Sequence, residues 1–197
     1  INGVERVVIP QLIRPSGVFF TARSLQGRNY FGAKIIPARG AWLEIDTDAS
    51  GLLGVRINRQ RRVAATTLLK VFGLHQEEAI KKEFALIDKG ELSFIEKTLS
   101  RDSAKTQGEA FVEVYKKLRP GDMVSPDAAR DFVLSMFCNF QRYDLSKVGR
   151  WKMKERLEDY FQIDKNKKKI NLAQDINKEE RVLTLEDLLA VMKEIIR

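Results

Sequence analysis

Arg59-Gln60-Arg61-Arg62 presents three guanidinium groups directly after a run of strand type, Leu52-Leu53-Gly54-Val55-Arg56-Ile57. Planar guanidinium forks pair with phosphate oxygens and stack on bases, so this run is a candidate nucleic-acid contact; a solvated basic turn is the alternative. Trp42 is the second candidate. Alternation in Trp42-Leu43-Glu44-Ile45-Asp46 puts the indole on one strand face with two carboxylates, opposite Leu43 and Ile45. An indole on a polar face beside Arg39-Gly40 has the chemistry to stack an unpaired base, a contact worth about 1–3 kcal/mol in single-strand binders. A core or edge-strand tryptophan is the other reading. Glu44, Asp46 and Asp48 could be metal ligands, but two-metal hydrolysis needs further convergent donors, and Asp46-Thr47-Asp48-Ala49-Ser50-Gly51 reads more simply as a hairpin turn. His75 follows a helix stop and Cys138 ends an apolar stretch, Phe132 to Phe137, that reads as a core helix; both are taken as structural. No Gly-rich phosphate loop and no Ser or Cys nucleophile signature is present. The expectation is a chain with no catalytic residue, no metal site and no cofactor of its own.

The charge distribution favours a polyanion partner. The 197 residues hold 35 Lys+Arg and 27 Asp+Glu, a net +8, and the first 70 residues alone hold 11 Lys/Arg against 4 Asp/Glu. A local basic surface is the usual footprint of nucleic-acid binding. No apolar run approaches the roughly 18 residues of a membrane span. The single cysteine allows no internal disulfide, which points to a reducing, cytoplasmic compartment. The sequence starts at Ile1 without Met and stops at Arg197 inside a helical pattern, as an excised fragment would.

The elements that would position these side chains divide into two kinds. Short runs rich in β-branched and aromatic residues predict strands at Val4–Ile9, Gly17–Phe20, Ala33–Ile36, Trp42–Asp46 and Leu52–Ile57. Beyond Arg62 the period becomes helical. Helices are expected over Ala64–Phe72, closed by Gly73, and over Gln76–Ile87. Thr106 and Glu109 have capping-box spacing before the face Phe111, Val114, Tyr115, Leu118, which Arg119-Pro120-Gly121 ends. Ser125-Pro126 supplies a cap and a first-turn proline before Ala129, Phe132, Val133, Met136 and Phe137. A last helix starts at Thr184, with Asp187 at capping spacing, and carries Leu185, Leu188, Leu189, Met192, Ile195 and Ile196. Lys165 to Lys169 reads as an exposed turn. Strands first and helices after define an α+β architecture.

Five ordered blocks resemble the beta subunit of bacterial DNA-directed RNA polymerase: Ile1–Ile9 with Gln11-Leu12 and Gly17–Phe20, Ala33–Glu44, Val55–Arg59 through Ala65-Thr66, Glu113–Asp122, and Arg142–Arg150. The resemblance implies that residues 1–15 join the protrusion to the lobe, and that 16–197 form the lobe domain without a large insertion. The lobe flanks the DNA channel. By the same resemblance Trp42 matches a tryptophan that stacks on a non-template base, Arg14 and Arg119 match arginines of that pocket, and Arg59, Arg61 and Arg62 match a basic DNA-contacting run that Gln60 interrupts here. Arg119, Pro120, Gly121 and Asp122 match a gate loop that touches a NusG-type elongation factor, with Met123-Val124 where the family commonly has two prolines. Arg6, Ile9 and Gln11 match the edge of the rifamycin pocket. The resemblance further implies DNA as partner (non-template strand and downstream duplex), the remaining beta-subunit domains, the beta-prime and alpha subunits and sigma factor, no membrane, and a catalytic magnesium held by the largest subunit. Two other readings stay open at this level: a free-standing nucleic-acid-binding protein that uses the basic strand-end loop, and a metal-dependent hydrolase built on Glu44, Asp46 and Asp48.

Overall fold

A computed structural model describes residues 2–25, 27–89, 93–160 and 179–197. The expected turn at Lys165–Lys169 lies outside them. Five strands, β1 (Gly17–Leu25), β2 (Arg28–Ile36), β3 (Leu43–Thr47), β4 (Leu53–Ile57) and β5 (Val63–Ala64), form one antiparallel sheet in sequence order. The helices follow: α1 (Ala65–Val71), α2 (Glu77–Phe84), α3 (Phe94–Arg101), α4 (Gln107–Leu118), α5 (Pro126–Phe137), α6 (Ser146–Arg156) and α7 (Leu185–Ile196), with a 3-10 turn at Glu179–Arg181 before the last. The α+β expectation holds.

Register explains why one sheet face is core and the other is not. Ala33, Ile35, Leu43, Ile45, Leu53, Val55, Ile57 and Val63 all point inward, are buried, and share one apolar cluster with Leu68 and Leu69 of α1, Ile95 of α3 and Leu188, Val191 and Met192 of α7. The residues between them form an outer face that runs in cross-strand rows: Phe19, Lys34, Glu44 and Arg56 in one, Thr21, Gly32, Asp46 and Gly54 in the next, Arg23 and Tyr30 beyond. Both capping boxes form as their spacing predicts, with the Glu109 and Asp187 amides donating to the Thr106 and Thr184 hydroxyls. Ser125 caps α5 through the Ala128 amide.

The first expected strand does not form. Residues 4–15 run without a strand partner, and Val7, Val8, Ile9, Leu12 and Ile13 are almost fully exposed. The composition of Val4–Ile9 suits a strand, but a strand needs a neighbour, and Pro10 and Pro15 remove two amide donors from the segment. Cys138 is also placed differently from expectation. It is the C-cap of α5 and exposed, one position past Phe137 and so turned about 100° off the face that Ala129, Val133 and Phe137 bury. His75 is exposed, with Nδ1 3.0 Å from the Gly73 carbonyl. Three elements were not read from sequence: the two-residue β5, α3 and α6.

The sheet and the helices after it are joined close to the candidate tryptophan. The Ala38 amide donates to the Asp144 carbonyl (2.8 Å), the Asp144 amide donates back to the Arg39 carbonyl (2.8 Å), and Arg181 grips the Asp144 carboxylate through Nε (2.9 Å) and Nη2 (2.6 Å). Arg39 and Arg181 both place their guanidinium groups over the Phe140 ring, 5.7 and 5.0 Å from its centroid. Glycine is required at position 40. Its φ is +122°, and a Cβ there would lie 2.8 Å from the Arg142 carbonyl.

Candidate nucleic-acid interface

Trp42 stands one residue before β3, on the outer face, with 36% of its surface exposed. Its backbone is fixed on both sides: the Trp42 amide donates to Asn58 Oδ1 (2.8 Å) and the Asn58 amide donates to the Trp42 carbonyl (2.9 Å). The indole therefore sits at a set height beside the β4–β5 turn.

That turn carries the second part of the site. The Gln60 amide closes it on the Ile57 carbonyl at 2.9 Å, and both central residues are left-handed, Asn58 at φ 48° and Arg59 at φ 61°. Two positive φ values are the pattern of a type I′ hairpin turn, in which Asn-Gly is the cheapest pair. Asn58 fits that preference. Arg59 occupies the glycine position, at a cost of about 1–2 kcal/mol for a left-handed residue with a Cβ. The strained backbone carries the Arg59 guanidinium over Trp42, 5.8 Å from the ring centroid. The left-handed backbone thus holds a cation on an aromatic face at an exposed turn. Substituting Arg59→Gly is expected to raise the stability of the chain by up to about 1 kcal/mol, measured by urea unfolding, while weakening single-stranded DNA binding. A loss of stability would show that Arg59 is a packing residue.

The other arginines of the basic run have different surroundings. Arg61 is exposed. Arg62 is folded back on the outer face: Nη1 binds Asp48 Oδ2 (2.8 Å), and Nη2 reaches Asp46 Oδ1 (3.0 Å) and the Asp46 (2.8 Å) and Leu52 (2.9 Å) carbonyls. It lies so close over Gly54 that a Cβ there would be 1.8 Å from its Nε. Arg62 thus clasps the β3–β4 hairpin. Asp48 orders that turn, accepting from the Ser50 and Leu52 amides at 2.9 Å each. Burial alone would raise the Asp48 carboxyl, but the Leu52 amide, the Arg62 guanidinium and the Ser50 amide outweigh it and hold the group below its ordinary value.

The carboxylates beside Trp42 are all taken by cations. Glu44 pairs with Lys34 at 2.8 Å, and Asp46 pairs with Arg56 and Arg62 at 3.0 Å each. Among the described residues no group of three or more His, Cys, Asp or Glu side chains is arranged to hold a metal ion. Arg39, three residues before the indole in sequence, is turned to Phe140, and Arg59 is the arginine at the indole.

Arg14 and Arg119 contact other rings. Arg14 lies over Phe19, 5.7 Å from its centroid. Phe19 shares the outer face with Trp42, two strands away, a lateral offset of roughly 10 Å at the usual strand spacing. Arg119 caps α4 and lies over Phe132 of α5, 4.8 Å from the centroid. It opens the exposed loop Pro120-Gly121-Asp122-Met123, in which Gly121 has φ +101°. Arg6, Ile9 and Gln11 all lie in the exposed segment before β1. The sequence missed the Arg59–Trp42 pairing; the Asn58-Arg59 pair directly after a strand was the available signal.

A family model described as RNA polymerase Rpb2, domain 2 matches residues 14–178. DNA-directed RNA polymerase subunit beta of Clavibacter michiganensis is 41% identical to the chain over 198 residues, and that of Streptomyces coelicolor 39% over 199; both alignments cover the whole chain. The subunit from Caldicellulosiruptor bescii is 43% identical over 164 residues, 83% of the chain. The chain spans only 13–15% of the length of these relatives. Among the described residues no helix is long and apolar enough to cross a membrane.

Proposed function

The chain belongs to the RNA polymerase Rpb2 domain 2 family, as the lobe domain of a beta subunit, and on that premise we propose that it lines the DNA channel and holds an unpaired non-template base on Trp42. The observation that carries this reading is the exposed indole on a polar sheet face, with the Arg59 guanidinium 5.8 Å above it. A nucleotide has a base π-face for the ring and a phosphate for the arginine, and such stacking is tolerant of sequence.

The remaining roles follow from the same membership. Arg14, Arg61 and Arg119 supply cations along the path of the strand, and Arg62 acts by holding the β3–β4 hairpin that fixes Asp46 and Glu44 beside the indole. Pro120, Gly121 and Asp122, with Arg119, form a gate loop exposed for a NusG-type elongation factor. Arg6, Ile9 and Gln11 lie on a segment whose apolar side chains find their cover in other beta-subunit domains, at the edge of the rifamycin pocket. In this reading the chain works inside the cytoplasmic enzyme with beta-prime, alpha and sigma subunits and downstream duplex DNA, and the catalytic magnesium belongs to the largest subunit.

Trp42→Ala in the assembled polymerase is expected to raise the permanganate reactivity of one non-template thymine just downstream of the active centre, with a loss of about 1–3 kcal/mol in its stacking. Unchanged reactivity at every downstream non-template position would remove the assignment.

A further inference from the structure

Trp42 and Asn58 stand one position beyond the β3–β4 ladder, whose last pair at this end is Leu43 with Ile57. A hydrogen-bonded pair in an antiparallel ladder exchanges two backbone bonds, amide to carbonyl in each direction. Here one of the two is a backbone bond, from the Asn58 amide to the Trp42 carbonyl at 2.9 Å. The reciprocal bond is made by a side chain: the Trp42 amide donates to Asn58 Oδ1 at 2.8 Å. The turn is the reason. Asn58 is left-handed, at φ 48°, and so has left the extended conformation in which a strand residue offers amide and carbonyl to the same neighbour. Its carboxamide oxygen takes the place of the carbonyl, and the pairing reaches Trp42 although the chain is already turning.

Two demands therefore fall on one residue. The position must adopt a left-handed backbone, which Gly, Asn and Asp do at the lowest cost, and it must carry an acceptor oxygen on Cγ. Of those three, Asn and Asp meet both. Asn58 also directs the cation of the site. Arg59 follows it through the second left-handed position, at φ 61°, and brings its guanidinium 5.8 Å from the centroid of the Trp42 ring. One residue thus holds the backbone under the indole with its side chain and aims the arginine with its own backbone.

We propose that Asn58 is the positioning residue of this site, holding Trp42 and Arg59 in the relative placement in which one nucleotide reaches both. This rests on the reading of Trp42 as a non-template base contact. Asn58 acts through the indole and touches neither base nor phosphate in this role. Without Oδ1 the Trp42 amide turns to water, and the residue keeps one bond to β4 in place of two. The indole is then free to tilt. A platform that must be ordered at each encounter holds a base less well than one fixed in advance, because the ordering entropy is charged to binding.

The test uses polymerase assembled with this beta subunit, on a template that places a non-template thymine at the position exposed by Trp42→Ala. Asn58→Gly keeps the left-handed turn and removes Oδ1, so it disturbs folding least. It is expected to raise the permanganate reactivity of that thymine several-fold with the indole still present. Asn58→Asp, which keeps both the turn and the acceptor, is expected to leave the thymine protected. The double variant of Asn58→Gly with Trp42→Ala is expected to be no more reactive than Trp42→Ala alone, since the two changes act through one ring. If Trp42→Ala exposes the thymine and Asn58→Gly does not, the role of Asn58 is overturned and the Trp42 reading stands. Additive effects in the double variant, or Asn58→Asp as reactive as Asn58→Gly, overturn it as well. If Trp42→Ala changes no position, the Trp42 reading falls and the role of Asn58 falls with it.

Discussion

Replacing Asp102 with alanine is expected to destabilise the chain by about 3–5 kcal/mol, because it strands a buried ammonium group without its partner. Lys70 and Asp102 each keep only 1% of their side-chain surface, and Lys70 Nζ lies 3.0 Å from Asp102 Oδ2. The carboxylate is also the hub of a small network. It accepts from the Thr66 hydroxyl (2.6 Å), the Thr67 hydroxyl (2.8 Å) and the Ala104 amide (3.0 Å). Losing it leaves the Lys70 ammonium with only the neutral Ala104 carbonyl as acceptor, and two hydroxyls and an amide without theirs, between α1 and the loop that follows α3. A domain of this size has roughly 5–15 kcal/mol in total, so the variant would approach the folding threshold. Lys70→Met gives the contrast: the carboxylate keeps two hydroxyls and an amide, and the loss should be clearly smaller. Urea unfolding of the three chains decides it, and equal midpoints for wild type and Asp102→Ala would remove the argument.

The second large effect is expected at Asp187. This residue closes the N-terminal cap of α7, accepting from the Thr184 amide at 2.9 Å, and pairs with Arg150 of α6, whose second nitrogen donates to the Val182 carbonyl. Arg150 keeps 3% of its side-chain surface and Asp187 1%. Asp187→Ala removes the cap, worth about 1 kcal/mol, and leaves a buried guanidinium at a further cost of about 3–5 kcal/mol. Asp187→Asn retains the cap acceptor and loses the charge, so it should fall between wild type and alanine. Thermal unfolding followed by circular dichroism orders the three; an asparagine variant as unstable as the alanine would show that the cap contributes nothing.

These two aspartates show which parts of the molecule were readable in advance. The cap of Asp187 was, because Thr184 lies three residues away and a capping box is a local code. Its pairing with Arg150 was not, since 37 residues separate them. The same division applies at the site. The polar placement of Trp42 follows from strand alternation alone, and the structure has it so. The separation of Arg59 from Arg62 does not, because one faces an indole and the other two aspartates 14 and 16 residues back. Val4–Ile9 carried a strong strand composition yet has no strand beside it, since pairing is a property of the neighbour. α6 was missed for the opposite reason: Ser146–Arg156 carries five basic residues and a glycine, and its apolar periodicity is weak.

The junction of Arg39 with Asp144 has a mechanical consequence. Three backbone hydrogen bonds between Ala38-Arg39 and Asp144, with the Arg181 clamp on the Asp144 carboxylate, tie the segment entering Trp42 to the 3-10 turn that leads into α7, with two residues between Arg39 and the indole. A displacement of α7 is expected to reach that strand through this tie. The indole would then travel with the C-terminal helix as one lever, so swinging the domain would carry its base contact with it instead of leaving the contact to deform.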